Sequence, residues 1–219
     1  MKPDIDYTLY LVTDSSLMVH DSIEACVELA ISGGCTVVQL REKSASSRVF
    51  YETALRIRAI TTQLATPLII NDRADIAAAV DADGVHIGQD DLPYEAARRI
   101  VGHDKLIGIS VNNLHEAQIA AACGADYLGV GAIHATGTKT DADRTSIDEL
   151  KRIRNAIRIP IVAIGGIKRD NVWAFEGTGI DGIAVVSAIV SEKDAAGAAR
   201  ELKARFQRVM GRTEGIKGA

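Results

Sequence analysis

The chain has little of what several classes of protein require. Its 219 residues include three cysteines, Cys26, Cys35 and Cys123, which are far apart and set among small apolar residues. We find neither a disulfide framework nor a metal-binding spacing, and we expect three reduced thiols. No apolar run approaches the roughly 18 residues of a membrane-spanning helix. Residues 1–7 are polar, unlike a signal peptide, so we expect a cytoplasmic protein without a membrane partner.

An excess of positive charge is also absent. The formal net charge is -4 and the pI is about 5.7, which argues against a nucleic-acid partner. Any positive field that serves binding must therefore be local. With 47% hydrophobic residues, the chain can bury the core of one large domain, and α/β barrels commonly have this length.

Short apolar, β-branched runs alternate with amphipathic stretches along the chain. We predict strands at residues 7–13, 36–41, 67–71, 84–87, 105–111, 126–130, 159–164 and 182–186. A helical pattern follows each of them, including residues 170–176 and 194–209. Eight strand–helix units predict an α/β fold, a single-domain (β/α)8 TIM barrel over residues 1–210, with a flexible C-terminal tail at 211–219. The alternative, a doubly wound sheet, has a GxGxxG motif after its first strand, and this chain has Thr13-Asp14-Ser15 there.

The second strand ends in charge. Alternate residues of a strand share a face, which gives two sets: Val37, Gln39, Arg41 and Lys43, and on the opposite face Val38, Leu40 and Glu42. Two cations at the end of a core strand are costly unless an anion meets them. We interpret that anion as a diphosphate or a phosphate ester. The alternative is an internal ion pair with a neighbouring Asp or Glu.

Other strand ends carry phosphate-binding features, and the C-terminal ends of the strands form the active site of such barrels. Gly165 and Gly166 follow strand seven, where backbone N–H groups can approach an oxyanion. Ser187 follows strand eight and begins a helical turn. Strand five ends with Ser110, which places another hydroxyl at the mouth. His86, in strand four, is interpreted as a hydrogen-bonded core histidine.

Two acidic residues follow neighbouring strands. Asp72 comes after strand three and Asp91 after strand four, so both can reach one cation. Two carboxylates, completed by substrate phosphates and water, suit Mg²⁺. Asp90 can take the place of Asp91 on spacing alone. Structural alternatives are a helix N-cap for Asp72 and a first-turn charge for Asp91.

The loop after strand six is rich in donors: Thr136, Gly137, Thr138 and Lys139. It is not a P-loop, because Thr138 stands between the glycine and the lysine. We expect a lid that closes over a phosphate ligand, with a solvated surface loop as the alternative. We find no Ser-His-Asp arrangement, Schiff-base lysine or nicotinamide motif. The cations, the expected metal site and the phosphate-binding loops suit the detachment of an anionic leaving group.

In their order along the chain, these motifs resemble those of the thiamine-phosphate synthase family. The resemblance covers nearly the whole barrel and rests on Tyr10-Leu11-Val12-Thr13-Asp14, Gln39-Leu40-Arg41-Glu42-Lys43, Asn71-Asp72-Arg73, Gly84-Val85-His86-Ile87-Gly88-Gln89-Asp90-Asp91, Gly108-Ile109-Ser110, Thr136-Gly137-Thr138-Lys139, Ile164-Gly165-Gly166-Ile167 and Val185-Val186-Ser187. It implies a TIM barrel that joins hydroxymethylpyrimidine diphosphate to hydroxyethylthiazole phosphate and releases diphosphate with Mg²⁺. It also implies a dissociative mechanism, in which diphosphate leaves before the thiazole nitrogen attacks.

The resemblance assigns roles by motif. The residues similar to pyrimidine-diphosphate contacts are Gln39, Leu40, Arg41, Glu42, Lys43, Asn71, Ser110 and Lys139, and among them we expect Arg41, Lys43, Ser110 and Lys139 to be catalytic. Asp72 and Asp91 are similar to the Mg²⁺ ligands. The residues similar to thiazole-phosphate contacts are Thr136, Gly137, Thr138, Gly166, Val186 and Ser187.

The chain departs from many members of the family at Ala132, His134 and Ala135, where those carry Pro and Phe. This affects the expected stiffness of the loop and the packing of the pyrimidine. The nearest alternative is a thiazole tautomerase on the same barrel, which would not need both Asp72 and Asp91. A sugar-phosphate epimerase and a non-catalytic phosphate sensor are more distant alternatives. Assembly into a homo-oligomer is left open.

Overall fold

The computed structural model describes residues 2, 4–134 and 145–211. Within them, eight parallel strands pair in chain order, and the last pairs with the first to close a barrel. The predicted (β/α)8 barrel is confirmed. The strands are β1 Leu9–Val12, β2 Val37–Leu40, β3 Leu68–Asn71, β4 Gly84–Ile87, β5 Leu106–Val111, β6 Tyr127–Val130, β7 Ile161–Ile164 and β8 Gly182–Val185.

Helices surround the barrel. Most begin at a Ser, Asn or Asp side chain that accepts a hydrogen bond from a backbone N–H of the first turn, as at Ser22, Ser46 and Asn113. The helices are α1 Ile23–Ser32, α2 Ser47–Gln63, α3 Ala74–Ala79, α4 Tyr94–Val101, α5 Leu114–Cys123, α6 Ile147–Ala156, α7 Ser187–Val190 and α8 Ala195–Val209. In the described segments, no helix has both the length and the apolarity to cross a membrane.

One local prediction was wrong. The helix predicted at 170–176 is a single 3₁₀ turn, Val172–Phe175, whose Val172 and Phe175 are buried. Gly177 follows with φ +68 and ends it. The helical turn predicted to begin at Ser187 is confirmed as helix α7, whose four residues are too few to show a helical period in the sequence. The predicted tail at 211–219 lies, apart from Gly211, outside the described residues.

Side chains fill two separate cores. Outward-facing strand residues such as Val38 and Leu40 pack against the helices. Inward-facing residues form a second cluster inside the barrel, which includes Tyr7, Tyr10 and Tyr127. This alternation is the one expected from the period of two in a strand. The predicted division of β2 between two faces is therefore confirmed for residues 37–41.

The N-terminal end of the barrel is held by a repeated Arg–Asp pair. An aspartate stands just before each of β4, β6 and β8. It accepts a hydrogen bond from a backbone N–H in the first two residues of the preceding strand, and it pairs with an arginine of helix α2, α4 or α6. The three pairs are Arg58–Asp83, Arg98–Asp126 and Arg154–Asp181. Each aspartate thus joins two neighbouring strands to a helix, at the end of the barrel that stabilises rather than catalyses.

Candidate active site

A cavity of about 220 Å³ opens at the C-terminal ends of the strands. Apolar strand residues such as Val162 and Ala184 form its walls, and polar side chains enter from β1, β2, β3, β4 and β5. The structure brings seven of the predicted site residues to this cavity: Gln39, Arg41, Asn71, Ser110, Gly166, Val186 and Ser187. The predicted convergence of distant motifs on one end of the barrel is thus found for these residues.

Arg41 lines the cavity and also forms an ion pair. Its Nη1 lies 2.7 Å from Oδ2 of Asp14, in the loop after β1. The backbone N–H of Arg41 donates to Oγ1 of Thr13 at 3.0 Å. The internal ion pair that the sequence left open is therefore present, and it holds the guanidinium at the cavity. Since both side chains remain partly accessible, the pair leaves Arg41 able to meet an anion.

Lys43, Asp72 and Asp91 form a cluster beside the cavity. Nζ of Lys43 lies 2.9 Å from Oδ2 of Asp72. Asp91 accepts a hydrogen bond from the backbone N–H of Gly88 at 2.7 Å, and its carboxyl lies near enough to that of Asp72 to interact with it. Burial raises the pKa of the Asp91 carboxyl, and the Asp72 carboxylate raises it further. Two carboxylates held together in this way favour a bound cation.

The carboxylate pair fits Mg²⁺ in its donor chemistry. Asp72 adopts φ +63, a left-handed conformation that costs free energy for a residue other than glycine and often marks a functional site. Among residues 2, 4–134 and 145–211, no group of three His, Cys, Asp or Glu side chains is placed to hold a metal. A pair of carboxylates is enough for Mg²⁺, which keeps several waters and binds substrate phosphates. Asp90, the alternative to Asp91, is exposed.

The loops after β6, β7 and β8 meet at the cavity. Gly166 adopts φ +61, and its carbonyl accepts from Nδ2 of Asn171 at 2.9 Å. The backbone N–H groups of Ile133 and His134 donate to the end of β7 and to Gly165, both at 3.0 Å. The loop after β6 therefore departs from the cavity's edge. The predicted contacts Thr136, Gly137, Thr138 and Lys139 lie outside the described residues.

Three residues of the predicted 39–43 contact segment do not line the cavity: Lys43, which belongs to the cluster with Asp72 and Asp91, and also Leu40 and Glu42. Leu40 is fully buried between the barrel and the helices, because alternate residues of a strand point to opposite sides. Only its backbone is left for a ligand, which agrees with the predicted assignment of Leu40 to the opposite face of the strand. Glu42 accepts a hydrogen bond from Oγ of Ser15 at 2.9 Å. Glu42 thus ties the loop after β2 to the loop after β1.

The sequence reasoning missed several residues at the cavity. Tyr10 and Tyr127 line its floor, but in sequence they look like ordinary members of apolar strands. Asp14 follows β1 and was noted only within a motif. Lys168 also lines the cavity, two residues after Gly166. Its position directly after a predicted phosphate-binding loop is a signal that could have been used.

These features define a class. A closed parallel barrel with a polar cavity at the C-terminal ends of its strands is typical of (β/α)8 enzymes that act on small molecules.

Comparison with known proteins narrows this class. Residues 9–189 match the family described as thiamine monophosphate synthase. The thiamine-phosphate synthase of Clostridium beijerinckii is 56% identical over 209 residues, covering 95% of this chain and 100% of that protein. That of Ruminiclostridium cellulolyticum is 55% identical over 202 residues, covering 92% and 96%. The solved thiamine phosphate pyrophosphorylase from Pyrococcus furiosus superposes with a TM-score of 0.87 at 39% identity, over 94% of this chain and 98% of that one.

The chain belongs to the thiamine monophosphate synthase family. It is accordingly a transferase of thiamine biosynthesis, as the resemblance of its motifs implied. The tautomerase alternative is not favoured by these relatives.

Proposed function

We propose that the chain joins 4-amino-2-methyl-5-hydroxymethylpyrimidine diphosphate to hydroxyethylthiazole phosphate, giving thiamine phosphate and diphosphate with Mg²⁺. The observation that carries the proposal is the placement of Arg41 and Lys43 with the Asp72–Asp91 pair around one end of the barrel. We further propose a cytoplasmic enzyme that acts on these small molecules and has no nucleic-acid or membrane partner.

Two cations are available to the leaving diphosphate. A unit charge about 4 Å from an opposite one gains about 4 kcal/mol at an effective dielectric of 20. Arg41 and Lys43 already pair with Asp14 and Asp72, so the net gain is smaller than this. The Lys43 side chain is 54% exposed, which leaves it free to exchange Asp72 for a diphosphate oxygen. Arg41 keeps its tether to Asp14 and holds a fixed position.

Asp72 and Asp91 are the residues that would hold Mg²⁺. When bound there, Mg²⁺ supplies positive charge that neutralises diphosphate as it departs. The aspartates supply the ligand oxygens, and the Gly88 N–H fixes the orientation of Asp91. Ser110 offers its hydroxyl from the end of β5.

The bond changes require no side-chain base. The C–O bond to diphosphate breaks with its electron pair on the leaving oxygen, which leaves a pyrimidine methylene cation. The thiazole nitrogen then donates its lone pair to that carbon. Because water would also capture the cation, the site must exclude it. The apolar walls from β7 and β8 are suited to this.

The second substrate needs a separate phosphate site. Gly166, Val186 and Ser187 lie together on the β7–β8 side of the cavity. Backbone N–H groups in such loops, with the Ser187 hydroxyl, suit a phosphate monoester. We assign the thiazole phosphate to this side and the pyrimidine diphosphate to the β2–β5 side.

The test is a direct product assay. The protein is incubated with both substrates and Mg²⁺, and thiamine phosphate and diphosphate are measured by mass spectrometry. Each substrate alone is the control. We expect product only with both substrates, and none when a chelator is added. Absence of product with both substrates and Mg²⁺ would overturn the proposal.

Variants separate the metal role from a fold defect. We expect Asp72→Asn and Asp91→Asn to lose Mg²⁺-dependent turnover while circular dichroism stays unchanged. Asp90→Asn is the matched comparison, because it removes a carboxylate from the neighbouring, exposed position. If Asp90→Asn is the inactive variant and Asp91→Asn is active, the ligand assignment is wrong.

A further inference from the structure

Five polar side chains from five different strands form a continuous chain of hydrogen bonds through the barrel interior. Nε2 of Gln39 donates to the Tyr10 hydroxyl at 2.8 Å, and the hydroxyls of Tyr10 and Tyr127 lie 2.8 Å apart. The Tyr127 hydroxyl lies 3.0 Å from Nδ1 of His86. Nε2 of His86 lies 2.9 Å from Oγ of Ser110. This chain, which we call the interior relay, ends at a residue of the candidate active site.

Two inward-facing glycines make room for the side chains of the interior relay. Such barrels are normally filled with branched apolar side chains, but β5 and β6 carry Gly108 and Gly129 here. A Cβ at Gly108 would lie 2.1 Å from Cζ of Tyr127, and one at Gly129 would lie 2.9 Å from Cε1 of His86. Each ring therefore needs its glycine. The rings of His86 and Tyr127 have centroids 5.4 Å apart, which keeps them packed together.

The hydrogen bonds have a direction, which the Gln39 amide sets. An amide nitrogen only donates, so the Tyr10 oxygen accepts from Gln39. Among the described residues the Tyr127 oxygen is the other hydrogen-bond partner of the Tyr10 hydroxyl. Because a buried hydroxyl hydrogen needs an acceptor, Tyr10 donates to Tyr127. Burial raises the pKa of the Tyr10 and Tyr127 hydroxyls well above their ordinary values, so both keep their hydrogens at neutral pH. Tyr127 then donates to Nδ1 of His86.

A neutral imidazole carries one hydrogen, so a His86 that accepts at Nδ1 must donate from Nε2. Its acceptor is Oγ of Ser110. The hydrogen of the Ser110 hydroxyl is then not used in the relay and can point into the cavity. In the opposite direction, Ser110 would donate to His86 and could offer a ligand only lone pairs, which suit an anion poorly.

We propose that Tyr10, Tyr127 and His86 are positioning residues that fix the hydroxyl of Ser110 as a hydrogen-bond donor toward the anionic substrate. The proposal rests on the proposed function for the identity of that anion. It assigns a role to three buried side chains whose contact with the reacting atoms the proposed reaction does not require. It also explains why two barrel strands carry glycine at inward-facing positions.

The first test needs no substrate and so stands apart from the proposed function. In protein labelled with ¹⁵N-histidine, the resonances of His86 show which ring nitrogen carries the hydrogen. We expect the neutral form with hydrogen on Nε2 at neutral pH, and a shift toward the other tautomer in Tyr127→Phe. Hydrogen on Nδ1, a doubly protonated ring in the wild type, or an unchanged tautomer in Tyr127→Phe would overturn the proposal.

The second test is a double-mutant cycle on kcat/KM. Tyr127→Phe removes the hydroxyl, and with it the hydrogen bonds to Tyr10 and His86, but keeps the ring. We expect a loss of roughly 3- to 10-fold. In the Ser110→Ala background, the same substitution should cost nothing further, because it acts through Ser110. Additive losses would show that Tyr127 acts independently of Ser110 and would overturn the proposal.

Tyr7→Phe is the matched control for this cycle. The Tyr7 ring packs on Tyr127 with centroids 4.9 Å apart, so it belongs to the same cluster outside the relay. We expect Tyr7→Phe to leave both kcat/KM and the His86 tautomer as in the wild type. If Tyr7→Phe lowers kcat/KM as much as Tyr127→Phe does, the effect comes from a general disturbance of the tyrosine cluster. That result would contradict the proposal.

Discussion

Removal of the Asp126 carboxylate should destabilise the barrel severely. Asp126 accepts from Nη2 of Arg98 at 3.0 Å and from the backbone N–H of Ile107 at 2.8 Å. Only 9% of the Arg98 side chain and 13% of the Asp126 side chain are exposed. Breaking a buried ion pair from one side costs about 3–5 kcal/mol, because the other charge stays buried without its partner. The Ile107 N–H would lose its acceptor as well.

We therefore expect Asp126→Ala to lower the free energy of unfolding by about 3–5 kcal/mol. For a chain of this size, this corresponds to a fall of about 10 °C in Tm. Urea denaturation followed by circular dichroism measures the change. Asp75→Ala is the control, since Asp75 pairs with Arg73 at 2.6 Å but is 60% exposed, and it should cost about 1 kcal/mol or less. Equal losses in the two variants would refute the reasoning.

Three further predictions concern Asp14, Cys26 and Glu201. Asp14→Ala should lower kcat/KM for the pyrimidine diphosphate about tenfold, because Arg41 loses its tether; an unchanged value would mean that the guanidinium needs no anchor. Burial raises the pKa of the Cys26 thiol to about 11, so it should resist a thiol reagent at pH 8 until the protein is unfolded, and rapid labelling of native protein at Cys26 would contradict this. The Arg205 guanidinium lowers the pKa of Glu201, so its contribution to stability should be complete above the ordinary carboxyl pKa and fade as the pH falls through the lowered value; in urea titrations from pH 6 to 3, Glu201→Gln should lose less stability than the wild type.

Most of the fold was predictable because apolar runs and helical periods are local properties of the chain. All eight strands were found at their predicted places, although all except β4 are shorter in the structure. The failure, at Val172–Phe175, is a single 3₁₀ turn whose conformation depends on packing rather than on a repeated pattern. The ion pair between Arg98 and Asp126 was not predicted, because it joins residues 28 apart that only the closed barrel brings together.

The site was predictable only in part. Strand parity placed Gln39 and Arg41 on the inner face of β2, because a period of two is fixed by the backbone. Parity could not show that Asp14 would be the partner of Arg41, since several acidic residues follow strand ends. The prediction of a hydrogen-bonded core histidine fits His86, which is buried and contacts Tyr127 and Ser110. Its part in a chain of five side chains depends on three-dimensional neighbours.

The account rests on one end of the barrel gathering positive groups and two carboxylates around a diphosphate. A crystal structure of the protein with Mg²⁺ and diphosphate tests this most directly. We predict diphosphate in contact with Arg41, Lys43 and Ser110, and the metal ion bound by Asp72 and Asp91. Diphosphate bound elsewhere on the protein, or a metal ion that contacts neither aspartate, would contradict the account.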